Sequence, residues 1–130
     1  NLAAIGEAGE GVMTTLHYAE TLDTPQNRAF VEAYQEAYGQ MPDTYAVQGY
    51  DTGMMLVQAM EAVGGDTSDR DRLIQALANV QLDSPRGPMS FSASHHPIQN
   101  VYLREIRNGK HEVIGIAHEN LEVPDEACRM

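Results

Sequence analysis

The order of its elements constrains this chain more than any other feature. Val12-Met13-Thr14-Thr15-Leu16 is a short β-branched and apolar run behind a glycine-spaced lead-in, Gly6 to Gly11, and it reads as a strand buried on both faces. Three helical patterns follow in succession, then a short extended piece, Met89-Ser90-Phe91, and a two-stranded hairpin. A strand buried on both faces calls for parallel neighbours with cover on each side. One hairpin and one short strand cannot supply these. The sequence therefore predicts an α/β chain that forms part of a larger sheet, with apolar faces that meet a further segment or a second copy of itself.

The helix boundaries are written locally. Thr24 and Pro25 have the chemistry of an N-cap and a first helical residue, and Gly39 can close the helix in a left-handed conformation. Between them Phe30, Val31, Tyr34, Ala37 and Tyr38 recur at helical spacing. A second helix opens at Pro42-Asp43, carries Val47, Tyr50, Met54, Val57 and Met60 to Val63, and stops at Gly64-Gly65. Gly49 and Gly53, four apart on one face, predict close approach of a neighbouring element. Ser68 and Asp71 have capping-box spacing for a third helix with Leu73, Ile74 and Leu77. The tyrosines and methionines of these helices, Tyr34, Tyr38, Met54, Met55 and Met60, fall where core packing needs them.

Further on, Ser84-Pro85-Arg86-Gly87-Pro88 reads as a loop and His95-His96-Pro97 as a break. Residues 100–107 alternate, with Val101, Leu103 and Glu105 on one face and Tyr102 and Arg104 on the other. Asn108-Gly109 is a strong hairpin signal, and Lys110 to Ala117 is the returning strand. The acidic tail from Asn120 to Met130, with Pro124, reads as loosely held.

Charge and cysteine content narrow the function. Eight basic against nineteen acidic residues leave a formal charge of −11 over 130 residues, which disfavours nucleic acid and anionic lipid as partners. No apolar run approaches the roughly 20 residues a membrane span needs. Cys128 is the sole cysteine, excluding an intrachain disulfide and a cysteine-based zinc site. His95 and His96 are adjacent and read as a solvated loop rather than metal ligands. His111 and His118 read as surface residues on a strand. Asp51 has no neighbouring general-base partner, and Ser90, Ser92 and Ser94 lack a nucleophile elbow. No metal, cofactor or catalytic group is indicated, and an enzyme is disfavoured because no nucleophile, base and orienting group converge. The pair His17-Tyr18 is different. It lies just past the C-terminal end of a strand, where ligands bind in open α/β sheets, and it combines imidazole and phenol donors with an aromatic surface.

Six segments in one order extend this reading: Glu10-Gly11-Val12, Asp23-Thr24-Pro25-Gln26-Asn27, Phe30-Val31-x-x-Tyr34, Tyr38-Gly39-x-x-Pro42, Ala46-Val47-Gln48-Gly49-Tyr50-Asp51 and Gly87-Pro88-Met89-Ser90-Phe91. Together they resemble the C-terminal third of type I periplasmic solute-binding proteins, the Leu/Ile/Val-binding class of ABC importers. The resemblance implies two α/β lobes joined by three crossovers, with helices over a mostly parallel sheet and a terminal β-hairpin. It places residues 18–100 in the first lobe and residues 1–17 and 101–130 in the second. Hinge crossings then fall near His17-Tyr18 and near Asn100-Val101-Tyr102. A signal peptide and the main ligand-gripping groups would lie upstream. Position by position, Leu16, His17 and Tyr18 stand where the family's strand leaves at the hinge, Val47 and Gln48 where the pocket is closed, and Tyr102 at the last crossing. His17-Tyr18-Ala19 departs from the amino acid binders and resembles the branch that binds aromatic acids. The implied protein is a periplasmic receptor that delivers a small carboxylated ligand, amino acid or aromatic acid, to a membrane permease by hinge closure. The alternative is a ligand-sensing regulatory module of the same fold.

Overall fold

The computed structural model describes residues 2–124. The chain opens with one helical turn, α1 (Leu2–Ile5), and a 3-10 turn over Gly6–Gly9. Then come β1 (Met13–Leu16), α2 (Pro25–Tyr38), α3 (Thr44–Ala62), α4 (Arg70–Ala78), β2 (Leu82–Ser84), β3 (Gly87–Phe91), β4 (Pro97–Arg107) and β5 (Lys110–Leu121). No described helix is long and apolar enough to cross a membrane.

Local chemistry explains the helix ends. The Thr24 hydroxyl accepts from Asn27 N at 3.1 Å, Pro25 takes the first helical position, and Gly39, at φ +68°, closes α2 by donating to Gln35 O at 2.8 Å. Asp43 caps α3 through Ala46 N at 2.9 Å. The cap of α4 is Asp69, which accepts from Arg72 N at 3.0 Å, and not the expected Ser68. Ser68 instead turns back to Asp66, donating from its hydroxyl at 2.7 Å. A carboxylate on the first turn outcompetes a hydroxyl already engaged in its own turn.

The α/β class and the terminal hairpin are as expected, but the strand directions are not. Every strand pairing among the described residues is antiparallel. For the β2–β3, β3–β4 and β4–β5 pairs the reason is connectivity: Pro85-Arg86, residues 92–96 and Asn108-Gly109 join consecutive strands through short turns, and such turns force antiparallel pairing. β4 is the common member. It pairs with β1 from Met13↔Glu105 to Leu16↔Tyr102, with β3 at Ser90↔Ile98 and Phe91↔Pro97, and with β5 along most of its length. Nor is β1 buried on both faces: Met13 is 56% exposed, and Thr14 and Leu16 are half-buried. The segment 84–88 is no loop. β2 and β3 form a tight hairpin there, and Gly87 sits at φ +102° against Tyr102, where an added Cβ would lie 2.8 Å from Tyr102 Oη.

Two clusters make the interior. Tyr18, Ala19, Leu22, Phe30, Val47 and Tyr102 join the β1 exit to α2, α3 and β4. Ala59, Val80, Leu82 and Met89 join α3 and α4 to the β2–β3 hairpin. The helical stripes were expected to be core, yet Tyr38, Met54 and Met60 are exposed, while Tyr34 and Met55 are half-buried. Among the described residues nothing lies within 4 Å of a Cβ added at Gly49 or Gly53, so none of the described elements closely approaches either glycine. Periodicity identifies an apolar face but not what covers it. β5 runs on to Leu121, which takes Asn120 and Leu121 out of the expected loose tail. Cys128 and the end of that tail lie outside the described residues.

Candidate functional site

The six candidate residues converge. Leu16, the last residue of β1, stands opposite Tyr102 on β4. Tyr18, Val47 and Tyr102 belong to one buried cluster, each no more than 5% exposed. Their rings and methyls face the interior rather than solvent. The Tyr18 hydroxyl donates to Asn27 Oδ1 at 3.0 Å, and burial, aided by Glu20 and Asp43, pushes this phenol well above its ordinary range. The Tyr102 hydroxyl donates to Arg86 O at 2.7 Å. Three candidates remain accessible, Leu16 and His17 half-buried and Gln48 exposed, with Gln48 Nε2 3.2 Å from His17 Nε2. With the Gln48 amide donating, His17 accepts at Nε2 and carries its proton on Nδ1.

The electrostatics keep that imidazole neutral. Burial, then Arg86, then Arg104 lower the His17 pKa from its ordinary 6.5 to about 4. Between those values the unfolded chain binds a proton at this histidine that the folded chain refuses. The stability contribution is therefore complete above about pH 6.5 and is lost as pH falls towards 4. Denaturant midpoints measured from pH 7 to pH 4 should decline, and His17→Gln should flatten part of that decline. An identical slope in the variant would contradict it.

The polar residues tied to Tyr18 and Tyr102 were not among the candidates. Asp51 on α3 and Arg86 in the β2–β3 turn form a buried ion pair, Nε to Oδ2 at 2.6 Å. Arg86 also bonds Gln99 Oε1 on β4 and reaches Met89 Sδ at 2.9 Å. Asn27 is 1% exposed and donates to Glu20 O and Leu22 O, which holds the turn after Tyr18. Glu20 and Thr21 grip β5: Glu20 Oε1 accepts from His111 N at 2.9 Å, and the Thr21 hydroxyl donates to His111 O. His111, expected at the surface, is half-buried with its Nδ1 3.3 Å from Glu20 Oε2. A signal for the ion pair existed. Asp51 falls one turn after Val47 and two before Ala59 on the buried stripe of α3, where a carboxylate needs a cation.

Among the described residues no cluster of His, Cys, Asp and Glu could hold a metal ion. The arrangement offers a neutral donor at the end of a strand, a side-chain amide beside it, and two guanidinium groups behind.

Residues 1–111 match the family described as periplasmic binding protein. The chain belongs to that family. This periplasmic binding protein chain is 39% identical over 109 residues to Leu/Ile/Val-binding protein homolog 6 of Brucella abortus, covering 82% of this chain and 28% of that protein. Among solved structures it is similar to an ABC transporter solute-binding protein from R. palustris in complex with benzoate, with 43% identity and a TM-score of 0.92, covering 99% of this chain and 36% of that one. A second, from Rhodopseudomonas palustris BisB5 in complex with 3,4-dihydroxy benzoic acid, has 32% identity and a TM-score of 0.85, covering 96% and 35%. The periplasmic binding protein chain thus spans about a third of the length of these relatives.

Proposed function

We propose that this chain is part of an extracytoplasmic solute receptor that binds a small carboxylate, amino acid or aromatic acid, and presents it to the permease of an ABC importer. The observation that carries the reading is the accessible His17–Gln48 pair at the exit of β1, 3.2 Å apart, beside the interior formed by Tyr18, Val47 and Tyr102. A neutral imidazole with its proton on Nδ1 can donate to one carboxylate oxygen. Benzoate and 3,4-dihydroxybenzoate in the related structures support an aromatic acid, and the name of the Brucella relative supports an amino acid.

In this reading residues 18–100 belong to one lobe, and residues 1–17 and 101–130 to the other. Ligand contacts from both sides favour the closed arrangement over the open one. A signal peptide precedes the receptor, and the remainder of the protein, or a second copy, covers exposed apolar groups such as Met13, Ile116 and Val57. The test is isothermal titration of the full-length protein with benzoate. His17→Ala should weaken binding roughly tenfold or more, the loss of one hydrogen bond to a charged carboxylate. Unchanged affinity would remove His17 from the site.

A further inference from the structure

Glu20 is used twice. It lies in the segment that leaves β1, and its carbonyl accepts from Asn27 Nδ2 of α2 at 3.1 Å. Its carboxylate serves a different element, the start of β5: Oε1 accepts from His111 N at 2.9 Å, and Oε2 lies 3.3 Å from His111 Nδ1. The next residue repeats the attachment, the Thr21 hydroxyl donating to His111 O. Two consecutive side chains thus take both backbone groups of one β5 residue, the places that a further strand would fill. The Glu20 side chain is 14% exposed, so water competes poorly for these bonds.

The ladder does not need this attachment. β5 is already paired with β4 along most of its length, and His111 stands opposite Ile106 there. What the bonds add is a tie between the β4–β5 ribbon and the segment that α2 holds. That segment is fixed on its α2 side by Asn27, 1% exposed, which also donates to Leu22 O at 2.9 Å and accepts from the Tyr18 hydroxyl at 3.0 Å. In the two-lobe reading, His17 and His111 belong to one lobe, and Glu20, Thr21 and Gln48 to the other. The bonds to His111 then join the lobes. So does the 3.2 Å approach of Gln48 Nε2 to His17 Nε2, and the arrangement tied by Glu20 is therefore one in which the two sides of the site meet.

We propose that Glu20 and Thr21 form a latch on His111 that holds the two lobes in the ligand-competent arrangement, with His17 and Gln48 within reach of one ligand. This rests on reading the chain as part of a two-lobed solute receptor. Glu20 and Thr21 are positioning residues: they raise the fraction of protein that is ready to bind, and apparent affinity follows that fraction.

The test uses the full-length protein and the double variant Glu20→Ala/Thr21→Val. Small-angle X-ray scattering should give the unliganded variant a larger radius of gyration than the unliganded wild type, and the two should coincide at saturating ligand. Titration calorimetry with benzoate and with leucine should show about tenfold weaker binding of whichever the wild type takes, the size of one hydrogen bond to a charged group. Glu20→Gln with Thr21 intact keeps an acceptor for His111 N–H and should recover most of both effects. Unchanged scattering or unchanged affinity in a folded double variant, or no recovery in Glu20→Gln, would overturn the latch and leave the receptor reading standing. A wild type that binds neither ligand would remove both. Melting curves identify a double variant that fails to fold. Thr21→Val, which removes one bond at nearly constant volume, then carries the test, and scattering and affinity equal to the wild type would overturn the latch.

Discussion

Asp51→Ala should lower the stability of the full-length protein by about 3–5 kcal/mol, the cost of stripping one partner from a buried ion pair. The side chains of Arg86 and Asp51 are 7% and 4% exposed, so water cannot replace the lost carboxylate. The remaining partners of the guanidinium, Gln99 Oε1 and Met89 Sδ, are neutral and leave a full charge uncompensated. Asp51→Asn keeps an acceptor in place and should cost less. The double replacement Asp51→Leu with Arg86→Met removes both charges and should recover much of the loss. Guanidinium chloride unfolding of the three variants measures this. A single-variant cost within about 1 kcal/mol would mean that the pair is solvated in the full-length protein.

Tyr102→Ala should be comparably severe, about 3–5 kcal/mol, because it empties a ring from the cluster that joins the β1 exit to α3. The ring packs with Tyr18, Phe30 and Val47, and the hydroxyl ties β4 to the carbonyl of Arg86. Tyr102→Phe separates the two contributions. It retains the ring and should cost only about 1–3 kcal/mol, for an Arg86 carbonyl left without its donor. Chemical denaturation distinguishes the two variants, and equal costs would assign the whole effect to the hydroxyl. Weak ligand binding by Tyr102→Ala would thus report a damaged interior and not a lost ligand contact, which makes His17 the cleaner probe of the site.

What could be read from the sequence was local. Thr24, Pro25 and Gly39 bound α2 because caps are decided by residues within one turn of each other. Asn108 and Gly109, at φ +50° and +71°, make the hairpin turn their chemistry requires. The placement of Tyr102 and Arg104 on one face of a strand followed from the period of two. Features that depend on distant partners were illegible. β2 is three residues with a charged centre and becomes a strand only because β3 folds back on it. Arg86 meets Asp51 across 35 positions and Gln48 meets His17 across 31, and no pattern within a helix or a strand encodes such a meeting. Exposure misled in the same way. Tyr38 obeys the helical period and is 68% exposed, because it meets the Tyr34 ring of its own helix, centroids 4.6 Å apart, and joins neither buried cluster.

A two-stranded ribbon resists bending because flexing it strains a regular row of hydrogen bonds, and at a bulge that row is interrupted. Pairing between β4 and β5 shifts register three times between Gln99 and Arg104, then runs regularly to the turn at Asn108-Gly109. The ribbon is therefore irregular over a few residues and regular beyond them. Tyr102 lies within the irregular stretch, opposite Leu16 of β1 on its other edge, and Gly115 stands opposite Leu103 beside it. A break in the row changes the local twist, so the two ends of the ribbon are aimed differently, one along the β1 exit and the other towards the turn at Asn108-Gly109.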